Sequence, residues 1–279
     1  MWHTFPADLT PDTFLPRPPP QSRYAGLLDA STPDAPANSS LFYWLVEKER
    51  SNDGDDDDDA DDAPLILWLQ GGPGASSLFS LFTETGPFRF ATPAAGEPMP
   101  SSASSSSKAS SSPESPPSLA AAPVRWTKTA HVLYLDQPVG TGFSFAAHNE
   151  TDAVAHSETQ LRDMAAAALL AFYERHPRYA GRPFFIFGES FAGHMAPNIA
   201  WRLLQLKEQH EQHAQHAQRG DAAGIAAEVA AGVAAGAAAD APQFPINLQG
   251  LAIGDGWVDP IAQNEAFPEV STDHGTCTS

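Results

Sequence analysis

The sequence has little cysteine and little positive charge, and both shortages limit what the protein can do. Among its 279 residues there is one cysteine, Cys277, which cannot form a disulfide within the chain. Lysine and arginine together number 15 against 34 aspartates and glutamates, so the formal net charge is −19. Such an acidic chain lacks the basic face that binds phosphates, and we expect no nucleic-acid partner.

Long apolar runs are missing as well. No stretch reaches the roughly 18 consecutive apolar residues of a transmembrane helix, so we expect no membrane span. The first twenty residues contain neither the basic nor the apolar region of a signal peptide. With a single cysteine, this pattern favours either a reducing compartment or a sequence whose N-terminus is incomplete.

Three low-complexity segments interrupt the chain at residues 52–62, 94–122 and 207–242. The first holds eight aspartates, and such a charge run is more typical of a solvated loop than of a metal site. The second consists mainly of serine, proline and alanine, and the third of glutamine, histidine and alanine. We interpret all three as surface insertions, the third beginning as a helix extension, and we expect neither a metal nor a cofactor.

Short apolar runs alternate with helical patterns between these segments. Strands are predicted at 41–46, 65–69, 132–135, 184–187 and 248–253. Helices are predicted at 156–176, where apolar residues recur at helical spacing, and from Pro197 to about Lys207. Runs that are apolar on both faces are typical of buried parallel strands. The sequence therefore predicts an α/β fold with a mainly parallel central sheet.

The strongest chemical motif is the segment FFIFGESFAG, residues 184–193. An apolar strand there meets a Gly-x-Ser-x-Ala turn followed by a helical pattern, which is the setting of a nucleophile elbow. Small residues at 188 and 192 would allow the tight bend that exposes the hydroxyl of Ser190. We predict Ser190 to be a catalytic nucleophile, although a serine in a glycine-rich turn is the simpler alternative.

A second motif, WLQGGPG, follows the strand predicted at 65–69. Glycines at a strand end let backbone N–H groups approach a reacting oxygen, and Gly72 and Phe191 are the natural oxyanion-hole donors. A plain turn is the alternative interpretation. A Walker-type phosphate loop is excluded because no lysine follows the glycines.

Five blocks in this order resemble the serine carboxypeptidases: LILWLQGGPGASS, ETGPF, HVLYLDQPVGTGFSF, FFIFGESFAGHMAP and LQGLAIGDGWVDP. The glutamine at position 70 resembles the animal vitellogenic-like branch of the family, whereas many relatives have asparagine at this position. The resemblance implies an α/β-hydrolase fold. It also implies that residues 1–279 are the N-terminal part of a single domain whose sheet is incomplete at its C-terminal end.

The resemblance also assigns roles to individual residues. Ser190 matches the nucleophile, and Gly72 and Phe191 match the oxyanion-hole donors, although the family usually has tyrosine at the position of Phe191. The residues that match the group holding the free C-terminal carboxylate of a peptide substrate are Trp68, Gln70, Glu84 and Glu189. Asp255 stands where asparagine is more usual and adds a carboxylate near the end of the sheet.

Paired glutamates facing a substrate carboxylate cannot all be ionised, because like charges raise one or more of their pKa values. We therefore expect peptides with a free C-terminus to bind best in acid.

In this fold class the nucleophile is followed by an aspartate and a histidine. His194 is not the family's base, and the family's triad aspartate and histidine lie beyond residue 279, so the chain as written is expected to be inactive.

Two other functions stay open from the sequence. The same elbow serves acyltransferases that resemble serine carboxypeptidases, and the chain could also be a non-catalytic fragment or interaction protein. The family resemblance implies that the protein enters the secretory pathway, with a lysosomal, vacuolar or extracellular destination. The sequons at Asn38 and Asn149 permit N-glycosylation in that pathway. The oligomeric state and the side-chain preference for substrate are not predicted.

Overall fold

A computed structural model describes residues 23–34, 38–50, 62–90, 119–146, 155, 157–220 and 243–273, with side chains as far as residue 266. The aspartate run as far as residue 61, residues 94–118 of the second segment, residues 221–242 of the third, and Cys277 lie outside the described residues.

Nine strands and four helices make up the described fold. The strands are β1 (Arg23–Asp29), β2 (Ser39–Val46), β3 (Leu65–Leu69), β4 (Phe88–Phe90), β5 (Leu119–Ala121), β6 (His131–Leu135), β7 (Phe145–Ala146), β8 (Pro183–Glu189) and β9 (Asn247–Gly254). The helices are α1 (Leu78–Thr83), α2 (Glu158–Arg175), α3 (Ala192–Arg219) and α4 (Pro260–Asp273), with 3₁₀ turns at Trp126–Lys128 and Pro177–Tyr179.

The main sheet has the strand order β1-β2-β6-β3-β8-β9, and β7 pairs with β2. Strands β6, β3, β8 and β9 are parallel to one another, whereas β1 and β2 are antiparallel to their neighbours. This architecture confirms the predicted α/β fold with a mainly parallel sheet. Because parallel strands end at the same edge, the residues that follow β3, β8 and β9 meet there, and such an edge is where α/β sheets bind ligands.

Hydrophobic packing covers both faces of the sheet. On one face the larger core joins the sheet to α2 and α3 through fully buried side chains such as Leu67, Leu169 and Ile199. On the other face a smaller cluster includes Trp68, Leu81 and Tyr134. The strands between these layers are buried on both sides, as their continuous apolar sequences predict. The ends of β3 and β8 are therefore held in place by packed side chains on both faces of the sheet.

The strand β9 departs from that prediction. Its apolar sequence predicts a buried strand, but most of its residues are exposed or half-exposed, and Leu251 is 44% exposed. β9 is the last strand in the sheet order and pairs with β8 alone among the described strands. Strand prediction identified the backbone conformation correctly, but burial depends on neighbouring elements that a local pattern does not contain.

Several boundaries also differ from those predicted. Helix α3 begins at Ala192 instead of Pro197, because the turn at the end of β8 leads directly into it. It continues to Arg219, into the third low-complexity segment, and ends at Gly220, whose φ of 68° closes the helix in a left-handed conformation. In the second low-complexity segment, residues 119–121 form β5 and pair with β4, and Ala122 is buried. That insertion therefore ends before residue 119.

Candidate active site

Ser190 occupies a tight turn between β8 and α3. Its φ is +55°, a left-handed conformation that is uncommon for a residue with a side chain. The turn is held by backbone hydrogen bonds: Ser190 N–H donates to Gly254 O at 3.1 Å, and Ser190 O accepts from Trp257 N–H at 2.8 Å. Ser190 is half-buried and lies at the surface of the sheet edge. The backbone thus has the strand–turn–helix geometry predicted for a nucleophile elbow.

Small residues on either side allow this turn. A Cβ atom placed on Gly188 would lie 2.6 Å from the Ala192 Cβ and 2.5 Å from Leu69 O, distances that real side chains do not reach. Any larger residue at position 188 would push α3 away from the sheet. The requirement for a glycine in the motif is therefore steric, and it arises from the closeness of β3, β8 and α3.

The glycine-rich segment after β3 contacts the turn directly. A Cβ atom on Gly71 would lie 2.7 Å from both the Phe191 N and the Ser190 Cβ. Gly72 follows with φ at 112°, a conformation that favours glycine. The two segments that contain Gly72 and Phe191 are therefore adjacent, next to the Ser190 side chain, which is the arrangement that two oxyanion-hole donors require.

Four predicted side chains and one unpredicted side chain form a single hydrogen-bonded network. Gln70 Nε2 donates to Glu189 Oε1 at 2.5 Å, and Trp68 Nε1 donates to Gln70 Oε1 at 3.3 Å. The hydroxyl of Ser80 contacts both Gln70 Oε1 and Glu84 Oε2, the latter at 2.5 Å. The structure therefore brings Trp68, Gln70, Glu84 and Glu189 together. Of these, Glu189 is the residue that directly precedes Ser190 in the sequence.

The network holds its carboxylates close to one another. Burial raises the pKa of Glu189 above its ordinary value, and the nearby charges of Glu84 and Asp255 raise it further, whereas the hydrogen bond from Gln70 opposes the rise. Each contribution follows from general electrostatics: a low-dielectric setting and like charges disfavour ionisation, and a donor favours it. The surroundings therefore favour the protonated form of the Glu189 carboxyl.

Comparisons with known proteins agree with this geometry. A family profile described as serine carboxypeptidase matches residues 11–220. The chain belongs to the serine carboxypeptidase family. Among individual relatives, "Serine carboxypeptidase S10 family member 1" of Dictyostelium discoideum is 31% identical over 238 residues, which is 85% of this chain and 41% of that protein. The vitellogenic carboxypeptidase of Aedes aegypti is 30% identical over 240 residues, 86% of this chain and 36% of that protein.

A solved structure shows the same fold. Kex1(delta)p, a prohormone-processing carboxypeptidase from Saccharomyces cerevisiae, superimposes with a TM-score of 0.59 at 21% identity, covering 92% of this chain and 43% of that one. The chain spans less than half the length of the relatives it matches. These findings confirm the family and the α/β-hydrolase fold. The presence of a vitellogenic carboxypeptidase among the relatives agrees with the resemblance noted at Gln70.

In the present chain, a cleft of about 140 Å³ opens in front of the serine. The residues lining it are Ser190, Asp255, Trp257, Gln263 and Asn264. Gln263 ties down the loop after β9, because its Nε2 donates to Gly256 O at 2.9 Å and its Oε1 accepts from Val258 N–H at 2.9 Å. Sequence motifs pointed to Asp255 but gave no indication of Gln263 or Asn264, which come from α4.

No histidine is among the described residues that line this cleft. His194, in the first turn of α3, has its Nδ1 3.3 Å from Glu158 Oε1, and its ring stacks on Phe191 with centroids 5.2 Å apart. The contact with Glu158 joins α2 to α3. Asp273, the aspartate of the Asp-His pair near the C-terminus, ends α4, and its partner His274 lies outside the described residues.

Asp136, which directly follows β6, bonds to the loop after β3. Its carboxylate accepts hydrogen bonds from Ser76 Oγ at 2.6 Å, Ser77 N–H at 2.9 Å and Phe143 N–H at 3.1 Å. Burial raises its pKa, and those three donors oppose the rise. Asp136 thus connects the glycine-rich loop to the turn after β6, a role that its motif alone did not reveal.

The described residues contain no group of three or more histidine, cysteine, aspartate or glutamate side chains arranged to hold a metal ion. None of the helices in the described part of the chain is long and apolar enough to cross a membrane.

Proposed function

We propose that this chain provides the nucleophile, the oxyanion hole and the C-terminal recognition group of a serine-type carboxypeptidase. The observation that carries the proposal is the junction at the end of β8. There Glu189, bonded to Gln70, immediately precedes Ser190 in its left-handed turn. A peptide whose terminal carboxylate bound at Glu189 would have its last peptide bond within reach of the serine hydroxyl.

The reaction is an acyl transfer through a covalent intermediate. Ser190 Oγ forms a bond to the carbonyl carbon of the last peptide bond while its proton passes to a general base outside the residues that line the cleft. The N–H groups of Gly72 and Phe191 bind the resulting oxyanion. Collapse of this intermediate expels the C-terminal amino acid, whose nitrogen receives the proton. Water then releases the remaining peptide from Ser190 by the same steps.

The recognition group explains why only a chain end would be cleaved. Glu84 and Glu189 repel a carboxylate when both are ionised, so binding requires at least one proton among the three acidic groups. The Gln70 amide donates to Glu189, and the indole N–H of Trp68 holds that amide in place by donating to its oxygen. A peptide with an amidated C-terminus lacks the third acidic group and would gain nothing from acid pH. The substrate is therefore a peptide with a free C-terminus, and the route implied is secretory.

Binding and catalysis can be tested separately on the 279-residue chain. The indole ¹⁵N–¹H signal of Trp68 reports on the network, and we expect it to shift on addition of a blocked dipeptide acid at pH 5. The matching dipeptide amide is expected to shift it much less. Equal responses to the acid and the amide would contradict the proposed recognition group.

Because no histidine is among the cleft-lining residues that the structure describes, the chain on its own is expected to release no C-terminal residue from the blocked dipeptide. The measurement is amino acid released over time, with Ser190→Ala as the matched control. Release by the unmodified chain that disappears in Ser190→Ala would show that a base is present after all, and would overturn the proposed inactivity of this segment.

A further inference from the structure

Ser80 lies inside the recognition network, although the sequence motifs gave no reason to select it. It belongs to α1, is fully buried, and places its hydroxyl between Gln70 at the end of β3 and Glu84 just after α1. Its backbone oxygen also accepts hydrogen bonds from the N–H groups of Glu84 and Thr85, each at 3.0 Å. A buried hydroxyl with two polar side-chain contacts is well placed to connect them.

The orientation of the Gln70 amide follows from its neighbours. The indole N–H of Trp68 can only donate, so the Gln70 atom that faces it must be the carbonyl oxygen Oε1. The amide nitrogen Nε2 then faces Glu189, to which it donates at 2.5 Å. The Ser80 hydroxyl contacts the oxygen side of the same amide, which has no hydrogen to donate.

Counting hydrogens then relates Ser80 to Glu84. A serine hydroxyl has one hydrogen, and its hydrogen bond to Gln70 Oε1 uses it. The contact of 2.5 Å between Ser80 Oγ and Glu84 Oε2 must in that case be made by a hydrogen on the Glu84 carboxyl. When Glu84 is ionised, it accepts the Ser80 hydrogen instead, and Gln70 Oε1 loses a donor. The two hydrogen bonds coexist only in the protonated network.

We propose that Ser80 is a positioning residue that couples the proton on Glu84 to the orientation of the Gln70 amide and, through that amide, to Glu189. This inference deepens the proposed function and rests on it for the identity of the ligand, a peptide carboxylate. Within the part of the chain that the structure describes, the other titratable groups facing the network are Asp255, after β9, and Tyr134 of β6, whose hydroxyl lies 3.1 Å from Thr85 Oγ1. Neither of these contacts the Ser80 hydroxyl.

The coupling is tested without any ligand by following the Trp68 indole signal and the side-chain carboxyl ¹³C signals of Glu84 and Glu189 between pH 3 and pH 8. In the unmodified chain we expect the indole signal to titrate with the same midpoint as the Glu84 carboxyl. In Ser80→Ala the indole response at that midpoint should be lost, whereas Ser80→Thr, which keeps a hydroxyl, should retain it. An indole titration that is unchanged in Ser80→Ala would overturn the proposal.

A matched control separates coupling from loss of a buried serine. Ser77 is also buried, and its hydroxyl contacts only backbone atoms: it donates to Leu135 O at 2.7 Å, accepts from Gln70 N–H at 3.1 Å and lies 3.3 Å from Trp68 O, without bonding to a side chain of the network. Ser77→Ala is expected to lower stability but to keep the indole titration. If Ser80→Ala does not fold, Ser80→Cys replaces it, because a thiol is a weak donor that should weaken the response. A full response in a folded Ser80→Cys chain would contradict the proposal.

Binding then distinguishes this inference from the proposed function. We expect Ser80→Ala to weaken binding of the blocked dipeptide acid by about tenfold at pH 5, as for loss of one buried hydrogen bond. If the unmodified chain binds the acid and the amide equally, the proposed function fails, while the ligand-free titration still decides whether Ser80 couples the network. If the acid is preferred and Ser80→Ala binds it equally well, the role of Ser80 fails alone.

Discussion

Gly71 and Ser190 lie so close together that a single added carbon on the glycine would contact the serine Cβ at 2.7 Å. The same carbon would lie 2.7 Å from Phe191 N and 2.9 Å from Glu189 O. Backbone atoms of the turn cannot move aside as a flexible side chain would. The glycine-rich segment and the turn at Ser190 therefore form one packed unit, in which each fixes the position of the other.

We predict that Gly71→Ala destabilises the protein by about 1–3 kcal/mol, the usual cost of forcing an extra carbon into a packed site. Urea unfolding followed by tryptophan fluorescence measures this cost. The matched control is Gly250→Ala in β9, where the added carbon would have its nearest contact at 3.6 Å, an ordinary van der Waals distance. Equal stabilities for the two variants would show that the approach at Gly71 is not tight.

The left-handed turn at Ser190 gives a second prediction. A residue with a Cβ at φ +55° costs about 1 kcal/mol that glycine does not pay. Ser190→Gly is therefore expected to raise the free energy of unfolding by about 1 kcal/mol, whereas Ser190→Ala, which keeps the Cβ, should leave that strain in place. Thermal unfolding of the two variants measures the difference. A Ser190→Ala chain as stable as Ser190→Gly would contradict strain as the cause.

The raised pKa of Glu189 predicts how stability depends on pH. The folded protein holds this proton more tightly than the unfolded chain, whose pKa is near 4.5. The resulting stabilisation is fully present below that value and is lost as the pH rises through the higher pKa of the folded state. Glu189→Gln should remove this contribution, so the decline in stability between pH 4 and 8 becomes shallower.

Urea unfolding at several pH values measures this slope for both proteins. Asp255→Asn is the companion variant: removing its charge should lower the pKa of Glu189 and move the decline to lower pH, because Asp255 raises that pKa by repulsion. If Glu189→Gln and the unmodified chain have the same slope, the proton is not held at Glu189.

We predict that the 279-residue chain self-associates through the outer edge of β9. Leu251 is 44% exposed, and unpaired strand edges with apolar side chains promote edge-to-edge pairing. We expect Leu251→Lys to reduce light scattering at high protein concentration without lowering the unfolding free energy by more than about 0.5 kcal/mol. Leu248→Lys is the contrasting variant, since Leu248 packs against the core and its replacement should destabilise the fold. Unchanged scattering in Leu251→Lys would exclude this edge as the association surface.

Local patterns predicted the parts of the fold that depend on local interactions. The apolar run at 65–69 is a buried strand at those residues, and the Gly-x-Ser-x-Ala motif forms the predicted turn. The strand β1 was missed because its sequence RYAGLLD has no clear alternation. Helix α3 was placed five residues late because Pro197 suggested a helix start, although it lies within the helix.

The sequence by itself determined which residues are candidates for the site, because the five ordered blocks contain the predicted nucleophile, the glycines and the acidic residues at the family's spacing. Only the tertiary structure decided the connections between them. Ser80 and Gln70 are ten residues apart and belong to different elements, and Asp136 reaches the glycine loop from a neighbouring strand. Such contacts depend on which strands lie side by side, and long-range packing sets that order, not local propensity.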